Sequence, residues 1–447
     1  MEGKVEFYKE TEFKDTEIGR IPKEWEVVKL KHLVKRDKFA IVDGPFGTQL
    51  HSNEYVEWGV PLIRVDNINK NGSFNPNNLV YITEEKWEEL KRSAIFPRDI
   101  LLAKTGATIG KVCLFPEKFK KGLIASSCAK ITIDPSKAYN QYIFYFLLSN
   151  FGYSQILALA TGSTRPTINL NPISKVKIAI PKNIKEQQKI AEILSTVDEA
   201  IQKTDEIIDK TESLKKGLMQ ELLTKGIGHK EFKDTEVGRI PKDWKVVKLE
   251  EITTKIKDID HKMPKKQEIG IPFVSIKCML KYPDFNFYLD PNDPDLEFIS
   301  KEEYEYHVQR FDVERGDIIY SRFGSIGNAK LITTEQPFIA SYSIVLIKPN
   351  RNKVNSTFLT YILNSETVRK QAKIATKGAT NRNLHLKDIK NLRVPLPSLF
   401  EQQKIAEILS TVGEKLEILK QEKVKLERIK RWFMEELLTG RIRVRIA

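Results

Sequence analysis

Apolar positions along the chain follow two rhythms. Short β-branched runs such as Val60 to Val65, Ile100 to Ala103, Lys130 to Ile133 and Val176 to Ile180 are punctuated by Gly, Pro and Asn, and the second half shows the same alternation. This is the pattern of strands and turns in a mixed α+β domain. Two longer stretches instead space their apolar residues three and four apart. The first carries Ile190, Leu194, Val197, Ile201, Ile208, Leu214, Leu218 and Leu222, with Thr204 and Thr211 diluting its middle. The second carries Ile405, Leu409, Val412, Leu416, Leu419, Leu426, Phe433 and Leu437, interrupted by Lys423 and Lys430. That spacing predicts two helices with a coiled-coil seam. Asn183 and Ser398 each precede a glutamate, Glu186 and Glu401, by three residues, which predicts capping boxes; Gly226 and Gly440 stand where glycine closes a helix. Each helix is about 40 residues, or ~60 Å at ~1.5 Å per residue.

The chain repeats itself. Glu12 to Leu30 recurs at Glu231 to Leu249 with three differences, Glu186 to Val197 reappears unchanged at Glu401 to Val412, and Met219 to Thr224 returns as Met434 to Thr439. Between these blocks only a sparse frame is shared: Gly59 to Ile63 with Gly270 to Val274, Arg98 to Leu101 with Gly316 to Ile319, and Gly106 and Gly110 with Gly324 and Gly327. A tandem duplication of about 215 residues follows. The middles share a fold and differ in what they contact. Neither helical stripe is continuous enough to stand alone, so each is expected to bury against the other. An antiparallel pair is the economical arrangement for repeats in one chain, with a parallel pair or an intermolecular coil as alternatives. The expected fold class is α+β: two pseudo-symmetric mixed domains, 1–181 and 228–397, separated by long antiparallel coiled-coil helices, 182–227 and 398–447.

With 447 residues and 40% hydrophobic content, each domain can bury an ordinary core. No apolar run approaches the ~20 residues of a membrane helix, and the beginning, Met1-Glu2-Gly3-Lys4, is charged, so a cytoplasmic protein with no membrane partner is expected. Cys113, Cys128 and Cys278 and the six histidines lack paired spacing, so buried thiols and no metal site are expected. A net charge of +14 suits a polyanion, although the 30% charged content also describes a heat-adapted surface. Gly106 to Lys111 imitates a phosphate loop but is one residue short between glycines and is followed by Val112. The chain offers no methyltransferase tetrapeptide, since Asn171-Pro172 continues as Ile-Ser, and no glycine-rich turn for a methyl donor. No catalytic residue and no cofactor of its own are therefore expected, and the charge suits a non-catalytic chain that binds a polyanion. The rival readings are a self-sufficient methyltransferase or nuclease, a scaffold without nucleic-acid contact, and a stand-alone regulator.

Two related heads facing oppositely match the two-fold symmetry of duplex DNA, and ~60 Å of helix spans at most ~18 base pairs at ~3.4 Å each. Taken together, the paired Gly-Arg-Ile-Pro-Lys-x-Trp segments (Gly19 to Trp25, Gly238 to Trp244), Asp43 to Gly47, the Thr161 to Arg165 loop and the Glu-Gln-Gln-Lys-Ile-Ala helix openings resemble the specificity subunits of Type I restriction-modification systems. The resemblance covers essentially the whole chain. It implies two target-recognition domains that each read one half of an asymmetric bipartite site on double-stranded DNA. It also implies two modification (methyltransferase) subunits as partners, which two restriction/translocase subunits can join, with S-adenosylmethionine, ATP and magnesium held by those partners.

Base-reading residues must differ between the heads. Lys104, Thr105, Thr108 and Lys111 around Gly106, and Ser163, Thr164 and Arg165 after Gly162, are the DNA-binding candidates in the first. Arg322, Ser325 and Asn328 around Gly324, and Lys377, Thr380, Asn381 and Arg382 around Gly378, are those in the second. Hydroxyls and Lys can anchor phosphates, while Arg and Asn can pair with guanine or adenine edges; ordinary surface loops remain the alternative. Further clusters, Gln49, His51, Arg64, Asn67 and Asn69, and His261, Lys262, Lys265, Lys266 and Gln267, are undecided. Polar positions retained on both helices, Gln187, Gln188, Lys189 and Glu192 with Gln402, Gln403, Lys404 and Glu407, suggest one kind of partner surface docking twice. Recent duplication with slow drift is the competing explanation.

Overall fold

The computed structural model describes residues 6–47, 49–162, 166–259, 262–281, 285–376 and 383–445. The chain forms two compact units, residues 1–204 with 422–447 and residues 205–421, and the division falls inside both long helices, α1 (Ile184–Lys225) and α2 (Leu399–Leu438).

In unit 1 the strands β1 (Ile41–Asp43), β2 (Ile100–Ala103), β3 (Val112–Leu114) and β4 (Cys128–Ile131) form an antiparallel sheet in the order β3-β2-β4-β1. Strand β2 is apolar at every position because both of its faces are covered. Ile100 and Leu102 pack with Tyr142, Ile143 and Phe146 of a helical hairpin, Asn140–Leu148 and Asn150–Ala158. Leu101 and Ala103 point the other way, onto Ile63 and Ile124 of a second sheet whose parallel central pair is Val60–Ile63 with Gly122–Ile124. The start of α1 (Ile190, Ala191, Leu194) and the end of α2 (Leu437, Leu438) complete the helical side of this core. The segment Phe7–Lys9 pairs antiparallel with Ile442–Val444.

Unit 2 repeats the plan. Strands β5 (Thr253–Lys257), β6 (Ile318–Ser321), β7 (Ala329–Ile332) and β8 (Ile344–Pro349) run in the order β5-β8-β6-β7, the counterpart of β1-β4-β2-β3, and Asn286–Phe287 adds a short parallel strand beyond β7. Ile318 and Tyr320 face Phe358 and Ile362 of a second helical hairpin, while Ile319 faces Phe273 and Val274. The end of α1 and the start of α2 pack here, through Leu223 and through Ile405, Ala406 and Leu409. The near-identical segments make equivalent hairpins, Phe13–Thr16 with Gly19–Pro22 and Phe232–Thr235 with Gly238–Pro241, and each is followed by a fully buried tryptophan, Trp25 or Trp244.

The helices depart from expectation in three respects. Asn183 Oδ1 accepts from Lys185 N at 2.9 Å and Ser398 Oγ from Glu401 N at 3.3 Å, but neither glutamate closes a capping box. Glu186 takes both Arg443 Nε and Nη2, and Glu401 takes His229 Nε2, Ile227 N and Trp244 Nε1. Each carboxylate thus anchors the chain just beyond the other helix's terminal glycine, Gly440 (φ 69°) or Gly226 (φ 66°). Leu214, expected in the seam, is 54% exposed, whereas Thr204 is buried. Its hydroxyl donates to Ala200 O at 2.9 Å, so the buried polar atom has a partner. Lys430, read as an interruption, pairs with Asp198 at 2.6 Å, a carboxylate that also accepts from Tyr145 Oη. The three cysteines are buried thiols, and burial pushes Cys128 up to about 12 and Cys278 up to about 11. Among the described residues no helix is long and apolar enough to cross a membrane, and no group of His, Cys, Asp and Glu is placed to hold a metal.

Candidate nucleic-acid interface

The sheet registers bring several loops to one edge of unit 1. Asp43 pairs with Ala129, Ala103 with Cys128, and Val112 with Leu102, so the segment after β1, the β2–β3 turn and the segment before β4 all leave the same end of the sheet. Ile168 N donates to Lys104 O and Gly106 N to Pro166 O, which draws Pro166 to Ile168 alongside. Thr161 and Thr167 exchange two backbone hydrogen bonds across this loop. Gly106 holds φ of 67° with no atom near its missing Cβ, so backbone conformation rather than space demands glycine there. Gly44 is needed for the opposite reason, because a Cβ would sit 2.0 Å from Ile124 O.

Unit 2 builds the same edge. Leu384 N donates to Arg322 O, Phe323 bridges Asn383, and Gly324 has φ of 68°. The side chains on the two turns differ. Half-buried Thr105, Thr108 and Lys111 line the first turn, where the second has exposed Ser325. An edge with protruding loops, hydroxyls and basic side chains on rigid strands can enter a DNA groove and present different partners to each half of a site.

The structure corrects three readings of this edge. Lys104 (6% exposed) is committed to Asp43 at 3.1 Å, and Arg322 (4% exposed) is hydrogen-bonded to Asp258, so neither cation is free to reach a base. Asn328 braces its own turn, donating to Ser325 O at 2.9 Å and accepting from Arg369 Nη2 at 3.0 Å. Of the undecided cluster, Asn67 is fully buried and binds Asn75 O, Asn77 O and Arg64 N. Ser163, Thr164, Arg165, Lys377, Thr380, Asn381, Arg382 and His261 lie outside the described residues.

On the long helices, the expected partner surface divides. Gln187 and Gln402 are buried and cannot face a partner; Gln187 bridges Tyr139 N and Pro181 O, and Gln402 bridges Asn355 N and Pro397 O. They recur because each ties a helix opening to its own core. Gln188, Glu192, Gln403, Lys404 and Glu407 are exposed and Lys189 is half-buried, so these remain presented twice.

The model of the Type I restriction modification DNA specificity domain family matches this chain twice, over residues 22–213 and 241–428. The chain belongs to that family. The MjaX specificity subunit assigned to a type I restriction enzyme of Methanocaldococcus jannaschii is 30% identical over 99% of both chains. The MjaVIII specificity subunit of the same organism is 28% identical over 99% of this chain and 98% of its own. Among solved structures, the Type I restriction-modification S subunit from M. genitalium superposes with a TM-score of 0.58 at 19% identity, covering 92% of this chain and 96% of its own. A chain from a study of type I restriction-modification complex assembly gives 0.54 at 16% identity, covering 94% and 99%.

Two matched domains in one chain agree with the duplicated loop-bearing edge. Asp43 and Asp258 were missed as site residues although both stand where the first strand of their sheet ends. The available signal was that Lys104 and Arg322 are cations at equivalent places in two otherwise diverged heads, which marks scaffold rather than readout.

Proposed function

We propose that this chain gives a type I restriction-modification complex its DNA address. The first domain, 1–181, reads one half of an asymmetric bipartite duplex site and the second, 228–397, reads the other. The long helices, 182–227 and 398–447, fix the number of unread base pairs and offer their twice-presented polar face to two methyltransferase subunits. S-adenosylmethionine, and ATP with magnesium where restriction subunits join, belong to those partners, and the complex works in the cytoplasm. The observation that carries this reading is that one loop-bearing edge is built twice on the same sheet order, with different side chains on its turns each time.

Mapping methylated adenines in the host genome, with this chain's gene intact and deleted, tests it. The expected result is one split, asymmetric motif that disappears on deletion. Loss of no motif, or of a continuous palindromic one, contradicts the reading.

A further inference from the structure

Beneath the two candidate reading edges lies a matched pair of buried ion pairs. In unit 1, Lys104 Nζ donates to Asp43 Oδ2 at 3.1 Å, and half-exposed Arg92 approaches the other carboxylate oxygen at 3.3 Å. In unit 2, Arg322 Nη1 donates to Asp258 Oδ2. The positions are equivalent: each cation follows the central strand, β2 or β6, two residues before the positive-φ glycine of the turn, and each carboxylate ends or immediately follows the edge strand, β1 or β5.

The same two residues are also backbone hubs. Lys104 N donates to Ser127 O and its carbonyl accepts from Ile168 N; Arg322 N donates to Ser343 O and its carbonyl accepts from Leu384 N, all at 2.9 Å. One residue therefore joins the turn, the segment before β4 or β8, and the segment ending at Ile168 or Leu384, while its side chain reaches the strand from which a further loop departs. Desolvating two charges costs about as much as their attraction returns, so stability alone gives little reason to keep such a pair where apolar residues would pack. A directional, charge-assisted link does give a reason, because it fixes the mutual placement of loops that carry different side chains.

We propose that Lys104–Asp43 and Arg322–Asp258 are positioning pairs for base reading: each registers its unit's loops, so that disturbing one degrades discrimination at that unit's half-site alone. This rests on the proposed reading of a bipartite site. Because the cations differ in shape, lysine and arginine are not interchangeable within either pair.

The test uses the full chain with its methyltransferase subunits and measures binding to the mapped duplex and to duplexes altered in one half or the other, alongside thermal unfolding. Native complex that discriminates at neither half contradicts the functional reading itself. Given native discrimination, K104M and D43L/K104M are both expected to lose at least about tenfold in discrimination at one half-site, with the other unchanged. The double variant removes both buried charges and leaves only half-exposed Arg92, which water can solvate, so it should regain thermal stability without regaining discrimination. Discrimination restored together with stability, or lost equally at both halves, overturns the proposal. Should neither variant fold, R322K keeps the charge in the other unit. It is expected to lose about fivefold at the opposite half-site only, and native discrimination at both halves overturns the proposal.

Discussion

Arg443 concentrates more charge chemistry than any candidate base reader that is described. Its guanidinium binds Glu186 through two nitrogens at 2.9 Å and reaches Glu10 and Glu24 with a third. Replacing it by methionine leaves Glu186, only 4% exposed at its side chain, without a counter-charge. Arg443→Met should therefore destabilise unit 1 by about 3 kcal/mol in thermal or denaturant unfolding. No measurable loss would mean that water reaches the carboxylate. Burial pushes the Glu10 carboxyl up, but hydrogen bonds from Arg443 and from the amides of Glu12 and Thr11 outweigh it and hold the carboxyl below its ordinary value. A depressed carboxylate stabilises the fold above its unfolded pKa and loses that contribution as pH falls through the folded one. Amide protection factors across Ile442–Val444, taken relative to the intrinsic exchange rate at each pH, are thus expected to fall below about pH 4; protection unchanged from neutral pH down to 3 would contradict this. At this scale the sequence was least legible. Lys104 and Asp43 lie 61 positions apart, and Arg322 and Asp258 64 apart, so only the sheet registers reveal that these cations are already engaged.

At the scale of elements, the long helices and their ends were readable because a three-four rhythm and a terminal glycine are local signals. The seam's detail was not. Leu214 faces out and Thr204 faces in, because helix phase is set by what each unit packs against the helix and not by hydrophobicity at one position. Retained polarity was likewise ambiguous: identical glutamines at 187 and 402 reflect two identical internal bridges, while the neighbouring Gln188 and Gln403 are exposed. Gln187→Leu is expected to cost about 2 kcal/mol by stranding Tyr139 N and Pro181 O. Gln188→Ala should leave stability unchanged and weaken methyltransferase-subunit affinity. Calorimetry and a titration with the partner subunit separate the two, and equal behaviour of the two variants would contradict the division. Removing seven residues from the middle of each long helix should shorten the unread spacer while keeping both half-sites, as read by methylation mapping; an unchanged spacer would refute their role as a ruler.

The whole molecule was the most legible level, since duplication leaves a signal spread over hundreds of residues. The two units share strand order, helical hairpin and loop edge, while the side chains between their repeated blocks have diverged. The central claim is that each unit reads alone. Its most direct test is to replace residues 21–181 with the corresponding domain of another specificity subunit and to map methylated adenines in cells carrying the hybrid. A motif changed in one half, with the other half retained, is expected. A motif altered in both halves, or in neither, would contradict it.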